Sequence, residues 1–307
     1  MSELLLKNIK YEPPQTKTPM LSSATLQTEN NNKRSAIGKL RYMFKLQHLS
    51  MLLAMGLLPL FFGCNSSHSG DKNSEVTALQ QPMTKPVENI AATKEQKERR
   101  AKSEEYCKSR NVPVYQNPNS LFVDSDEQVG IRTQEEVVDR ALALCYIGLK
   151  SEGLGKDDLD QMDKDYGISA KLSPKERDYA TAEQPTEQQK VDANWRYEGL
   201  HVLLWALGYI DTLSYPDKMC DVASDVKIIY ELKEKDFRKK AKLRSKREIL
   251  DQADLILRLH WACVSARLDD KQAPSGLDDG VVFERHHTLN WLINYLNQEW
   301  DDVTTDT

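Results

Sequence analysis

Two E-x-x-H pairs carry the sharpest chemical spacing in the chain: Glu198 with His201, and Glu284 with His287. Residues three apart share a helix face, so each pair could turn a carboxylate and an imidazole toward one metal ion. Two such pairs, with a carboxylate from each of two further helices, build the di-iron site of ferritin-like bundles. Glu135, Glu136, Asp251 or Asp254 could supply those carboxylates. The motif fixes only two residues and arises often by chance, so the expectation is no metal and no cofactor. A second grouping joins Trp195-Arg196-x-Glu198, Asp254-x-x-x-Arg258 and Glu284-Arg285-His286. Buried charges are costly unless paired, and the planar fork of arginine suits carboxylates. As structure, the grouping would fix how three long helices register. As function, it would line a cleft. Glu198, Glu284 and His286 are then the catalytic candidates, with Arg196, Asp254, Arg258 and Arg285 as ligand-binding candidates. The structural role is preferred, because perturbed ion pairs occur in scaffolds as well as in sites.

Other signatures are missing. The chain has no G-x-S-x-G, Walker loop, H-E-x-x-H or dinucleotide fingerprint. "DKDYG" (Asp163 to Gly167) hints at calcium, but the glycine and late glutamate of an EF loop are absent. A net charge of −5 gives no reason to expect nucleic acid. The one basic run, Lys233 to Arg247, reads as a solvated helix face.

The elements that must position these residues are helical. "TQEEVVDRALALCYIGLKSEG" opens with a capping box, Thr133 three before Glu136, and carries Val137, Ala141, Leu144 and Gly148 on one face. "SPKERDYAT" starts a short helix with Ser173 as cap, Pro174 in the first turn and Glu176 completing the box. "NWRYEGLHVLLWALGYID" reads as a buried helix stopped near "SYPDKMCD". "SKREILDQADLILRLHWACVSARL" sets Leu250, Leu257, Trp261, Val264 and Leu268 on one stripe, and Asp254 and Arg258 four apart can pair along it. "VVFERHHTLNWLINYLNQEW" reads as the last helix, and Trp300 predicts that the terminal "WDDVTTDT" docks on the domain rather than fraying. "KIIYEL" alone could pass for a strand. The fold class is all-α, a single domain of about six to nine helices without internal repeats.

In this order the segments "RTQEEVVDRALAL", "NWRYEGLHVLLWALGYID", "ILDQADLILRLHWACVSARL", "GVVFERHHTLNWL" and "WDDVTTDT" resemble the bacterial family called domain of unknown function DUF4272. The resemblance covers residues 95–307 or so. It implies an all-helical domain and transfers no catalytic residue. Arg196, Glu198, Asp254, Arg258, Glu284, Arg285 and His286 all stand at positions that match its segments.

The first hundred residues read differently. Residues 49–63 form an apolar run of signal-peptide length, preceded by basic residues and followed by Cys64. The ending "LFFGC" resembles a lipobox, which makes Cys64 the expected lipidation site. Residues 1–42 are a polar extension, and Met43 starts a signal complete in itself, so translation is expected to begin there. Residues 64–96 are polar and read as a flexible tether, leaving 97–307 as the folded part. An exported chain would meet conditions that permit disulfides among Cys107, Cys145, Cys220 and Cys263. Cys145 and Cys263 lie in apolar stripes, where a reduced thiol is the commoner outcome. The combined expectation is a binding or interaction protein of the bacterial cell envelope. It would be held to the membrane by its lipid, face the periplasm, and meet a protein partner rather than nucleic acid. A periplasmic hydrolase or metal-dependent enzyme using the Glu/Arg/His cluster is the alternative.

Overall fold

In a computed structural model of the protein, residues 91–307 are described. The extension 1–42, the leader 43–63, Cys64 and the tether as far as residue 90 lie outside them. Eight α-helices and no strand occur among the described residues: α1 Lys94–Ser109, α2 Gln134–Ser151, α3 Lys156–Tyr166, α4 Pro174–Thr181, α5 Glu187–Ala206, α6 Val222–Lys240, α7 Lys246–Leu268 and α8 Asp279–Leu292. The all-α expectation holds, and "KIIYEL" lies inside α6.

The helix starts are set locally. Thr133 and Glu136 at α2, and Ser173 and Glu176 at α4, form the capping boxes that their spacing predicts. Three more, at Thr93 with Gln96, Thr186 with Gln189 and Ser245 with Glu248, start α1, α5 and α7. Each box satisfies backbone N–H groups that a helix start would otherwise leave unpaired. The box at Thr93 begins the fold a turn earlier than residue 97.

Helix α2 is the centre of the core: every residue from Ala141 to Leu149 is buried. Its largest contact is with α5. Gly148 makes that approach feasible, because a Cβ there would lie 2.5 Å from the Tyr197 ring. Helix α5 also meets α8, α8 in turn packs on α7, and α7 on α1. Leu200, Leu203 and Leu204 are fully buried in this stack, each worth about 1.5–3 kcal/mol of apolar transfer.

Two segments depart from the sequence reading. The basic run is not one solvated helix. Lys233 interrupts α6 with φ +59°, and residues 241–245 separate α6 from α7. Its arginines also tie elements together. Arg238 pairs with Glu135 of α2, with Asp139 at 2.7 Å and with Glu234 at 2.9 Å. Arg244 donates to the carbonyls of Trp205, Ile210 and Asp211, closing the end of α5. The last helix also stops early, at Leu292, because Asn294, Leu296 and Asn297 take left-handed backbone angles. The terminal stretch docks as its tryptophan predicts: Trp300 is 3% exposed. The four described cysteines are free thiols. No described helix is long and apolar enough to cross a membrane.

Candidate functional site

The α5–α8 contact is cross-linked by two ion pairs that run crosswise. Glu198 Oε2 accepts from Arg285 Nε at 3.0 Å, while Arg196 Nη1 donates to Glu284 Oε2 at 3.0 Å. Glu198 is wholly buried, and its Oε1 accepts the backbone N–H of Cys220. Arg285 Nη1 also reaches the Ser214 carbonyl at 2.6 Å. The Glu198–Arg285 pair therefore pins the loop between α5 and α6 as well as the helix crossing. Burial pushes the Glu284 carboxyl above its ordinary range, with the Arg196 charge opposing the shift.

Asp254 and Arg258 pair along α7 at 2.8 Å, as their spacing predicts, and both are buried. Neither side chain bonds to α5 or α8; the three arginine–carboxylate pairs are separate rather than one network. Two guanidinium nitrogens, Arg258 Nη1 and Arg285 Nη2, are buried without a hydrogen-bond partner. His286 faces His260 of α7 with 2.8 Å between the Nδ1 atoms. That distance requires one ring to donate and the other to accept, so at least one is neutral at this nitrogen. Burial drives His286 well below the usual imidazole range and lowers His260 to about 4. Glu198, Arg258 and His286 are buried inside the helix stack, away from the open cleft beside it.

The open space lies beside them. A cleft of about 310 Å³ is bounded by α4, the first half of α5, His287 of α8 and the Trp300 turn. Arg196 is the one candidate residue that reaches it, half-buried with its pair to Glu284 behind it. The Trp300 indole forms one wall. Arg140 and Arg196 lie 5.1 and 5.9 Å from its ring centre, His287 meets it edge-on at 4.7 Å, and Trp291 at 5.6 Å. Asp301 locks the turn in place by accepting from the Ser173 hydroxyl at 2.7 Å and the Lys175 backbone N–H at 2.9 Å. Three residues lining the cleft hold buried polar atoms without hydrogen-bond partners: Glu176 Oε1, Tyr179 Oη and His287 Nδ1. Burial, then the charge of Arg196, lowers His287 to about 4. It is therefore a neutral imidazole near neutral pH, able to donate or accept.

Among the described residues the two E-x-x-H pairs are not gathered into one set of ligand atoms. Glu198 and Glu284 are each taken by an arginine. His287 goes to the cleft, and His201 Nδ1 bonds Asp225 Oδ2 at 2.9 Å. Cys220 lies against that pair, and burial together with Glu198 and Asp225 pushes its thiol up. The sequence reading missed Glu176, Tyr179 and Asp192 of the cleft. Their only local signal was the α4 capping box, which explains Glu176 without a ligand. Residues 99–303 match the family described as Domain of unknown function (DUF4272). No curated protein matches the chain significantly, and no solved structure does. With five ordered segments, eight helices and a match across nearly all of the described part, the chain belongs to the DUF4272 family.

Proposed function

We propose that the folded domain is the ligand-binding module of a lipid-anchored cell-envelope protein, and that its ligand sits in the α4–α5–Trp300 cleft. One observation carries the reading: three buried polar atoms, on Glu176, Tyr179 and His287, lack partners and all belong to residues of one cleft. Buried polar groups are nearly always satisfied, so a cluster of exceptions marks a place built for another molecule. The volume suits a small ligand. The lining carries both signs of charge, Lys175 and Arg196 against Glu176, Asp192 and Asp301. That balance favours a zwitterion, an amino acid or the end of a short peptide, over a simple anion. The apolar run before Cys64 supports export and lipid anchoring. A hydrolase working through Glu198, Glu284 and His286 has less support, since these groups are buried and already bonded within the fold.

The test is a thermal-shift and calorimetric titration of the full chain with amino acids and dipeptides. A binder should raise the melting temperature saturably. Tyr179→Phe and Asp192→Asn should each weaken binding by roughly 5- to 10-fold, the loss of about one hydrogen bond. If no amino acid or dipeptide shifts the melting temperature at millimolar concentration, the cleft does not bind this class. Metabolic labelling with palmitate checks the anchor: label should enter the wild type and be lost in Cys64→Ser.

A further inference from the structure

His201, Cys220 and Asp225 meet where the loop after α5 runs into α6. One donor atom from each (imidazole nitrogen, thiol sulfur, carboxylate oxygen) lies within 4.8 Å of the other two. The His201 Nδ1 to Asp225 Oδ2 distance is 2.9 Å. Around a tetrahedral ion with bonds of about 2.0–2.3 Å, neighbouring ligand atoms stand roughly 3.3–3.7 Å apart. Small side-chain rotations would therefore open the trio around a cation. None of the three lines the cleft assigned above.

The scaffold holds the trio firmly. His201 projects from α5, and Asp225 from the first turn of α6. Cys220 is tied back to α5 at two points: its N–H donates to Glu198, and its Sγ lies 3.5 Å from the Tyr197 carbonyl. Glu198 is held in turn by Arg285. The position of each donor is thus set by a helix or by a bond to one, as a metal site requires.

Charge gives the second reason. Glu198 has Arg285 to balance it, whereas Asp225, 2% exposed, is paired among the described residues with no lysine or arginine. A buried carboxylate needs a compensating cation. A divalent ion would balance one thiolate and one carboxylate together. We propose that His201, Cys220 and Asp225 bind one divalent transition-metal ion of the zinc class, leaving a fourth position toward solvent. Thiolate and imidazole select such an ion over magnesium or calcium. His201 and Cys220 are both partly exposed, which gives the ion a route in.

Cobalt(II) is the probe. The full chain, stripped with chelator and titrated with cobalt, should bind one ion per molecule. It should show a near-ultraviolet thiolate-to-cobalt band and the visible bands of a tetrahedral ion. Zinc should displace cobalt and bleach both. Cys220→Ser should abolish the thiolate band, and Cys220→Ser, His201→Gln and Asp225→Asn should each weaken binding by at least about tenfold, since even groups behind a metal's ligands are worth that much. Cys107→Ser, a buried thiol elsewhere, should keep the full spectrum. Circular dichroism checks that each variant is folded, and zinc should raise the melting temperature of the wild type but not of Cys220→Ser. Absence of stoichiometric cobalt, or a thiolate band that persists in Cys220→Ser, would overturn the proposal.

Discussion

The side chains that promised chemistry from their spacing are chiefly the ones that hold helices together. Glu198 shows why. It is fully buried, and a buried carboxylate with a guanidinium on one oxygen and a backbone N–H on the other is expensive to dismantle from one side. Glu198→Ala should cost about 3–5 kcal/mol, because Arg285 would stay buried without its partner. Urea denaturation followed by tryptophan fluorescence measures this, and a loss under about 1 kcal/mol would mean that Arg285 finds other partners. The types of these residues were legible in the sequence, but most of their partnerships were not. Asp254 and Arg258 pair as foreseen because a helix brings positions four apart together. Arg196 and Glu284 stand 88 positions apart, and nothing local says which arginine meets which glutamate. The partners of His201 are hidden for the same reason: they come from a loop and a helix that the register of α5 alone does not reveal.

At the scale of elements, helix starts were legible and interruptions were not. A capping box is a local device, so Thr133 and Ser173 announce their helices within four residues. The break at Lys233 and the left-handed turn at Leu296 put ordinary side chains in a region that sequence does not flag, whereas Asn294 is of a type that enters it more readily. Those turns fold the chain back so that Trp300 enters the core between His287 and Trp291. Removing residues 300–307 would empty the space filled by Trp300 and take Asp301 from the start of α4. The expected cost is about 3–5 kcal/mol, that of deleting a large buried aromatic, with a matching fall in melting temperature. An unchanged melting temperature would show that the tail contributes nothing to the fold. Gly148→Ala probes a different contact. The added methyl would meet the Tyr197 ring at 2.5 Å, so α2 and α5 must separate at about 1–3 kcal/mol.

For the molecule as a whole, the buried imidazoles make acid the main threat to stability. Burial lowers His260 and His287 from 6.5 to about 4 and drives His286 well below 6.5. Unfolding returns each ring to water, where it binds a proton near its ordinary value. Between about pH 6.5 and pH 4 the unfolded chain therefore holds more protons than the fold, so stability is complete above that range and drains away as pH falls through it. A drop of this size is worth roughly 3 kcal/mol per histidine, a large share of the 5–15 kcal/mol typical of a domain. Glu284 works in the opposite sense. Its raised value means the fold keeps a proton that the unfolded chain has released, so its contribution weakens as pH rises above 4.5. One carboxyl set against three imidazoles leaves the histidines in control. Urea midpoints taken from about pH 7.5 down to about pH 4.5 should fall steadily once pH drops below about 6.5. His287→Gln should flatten that fall in part, because a glutamine carries no proton to be taken up on unfolding. A midpoint that holds level over the whole range would mean that these rings reach water in the folded state, and that the α7–α8 contact is not sealed.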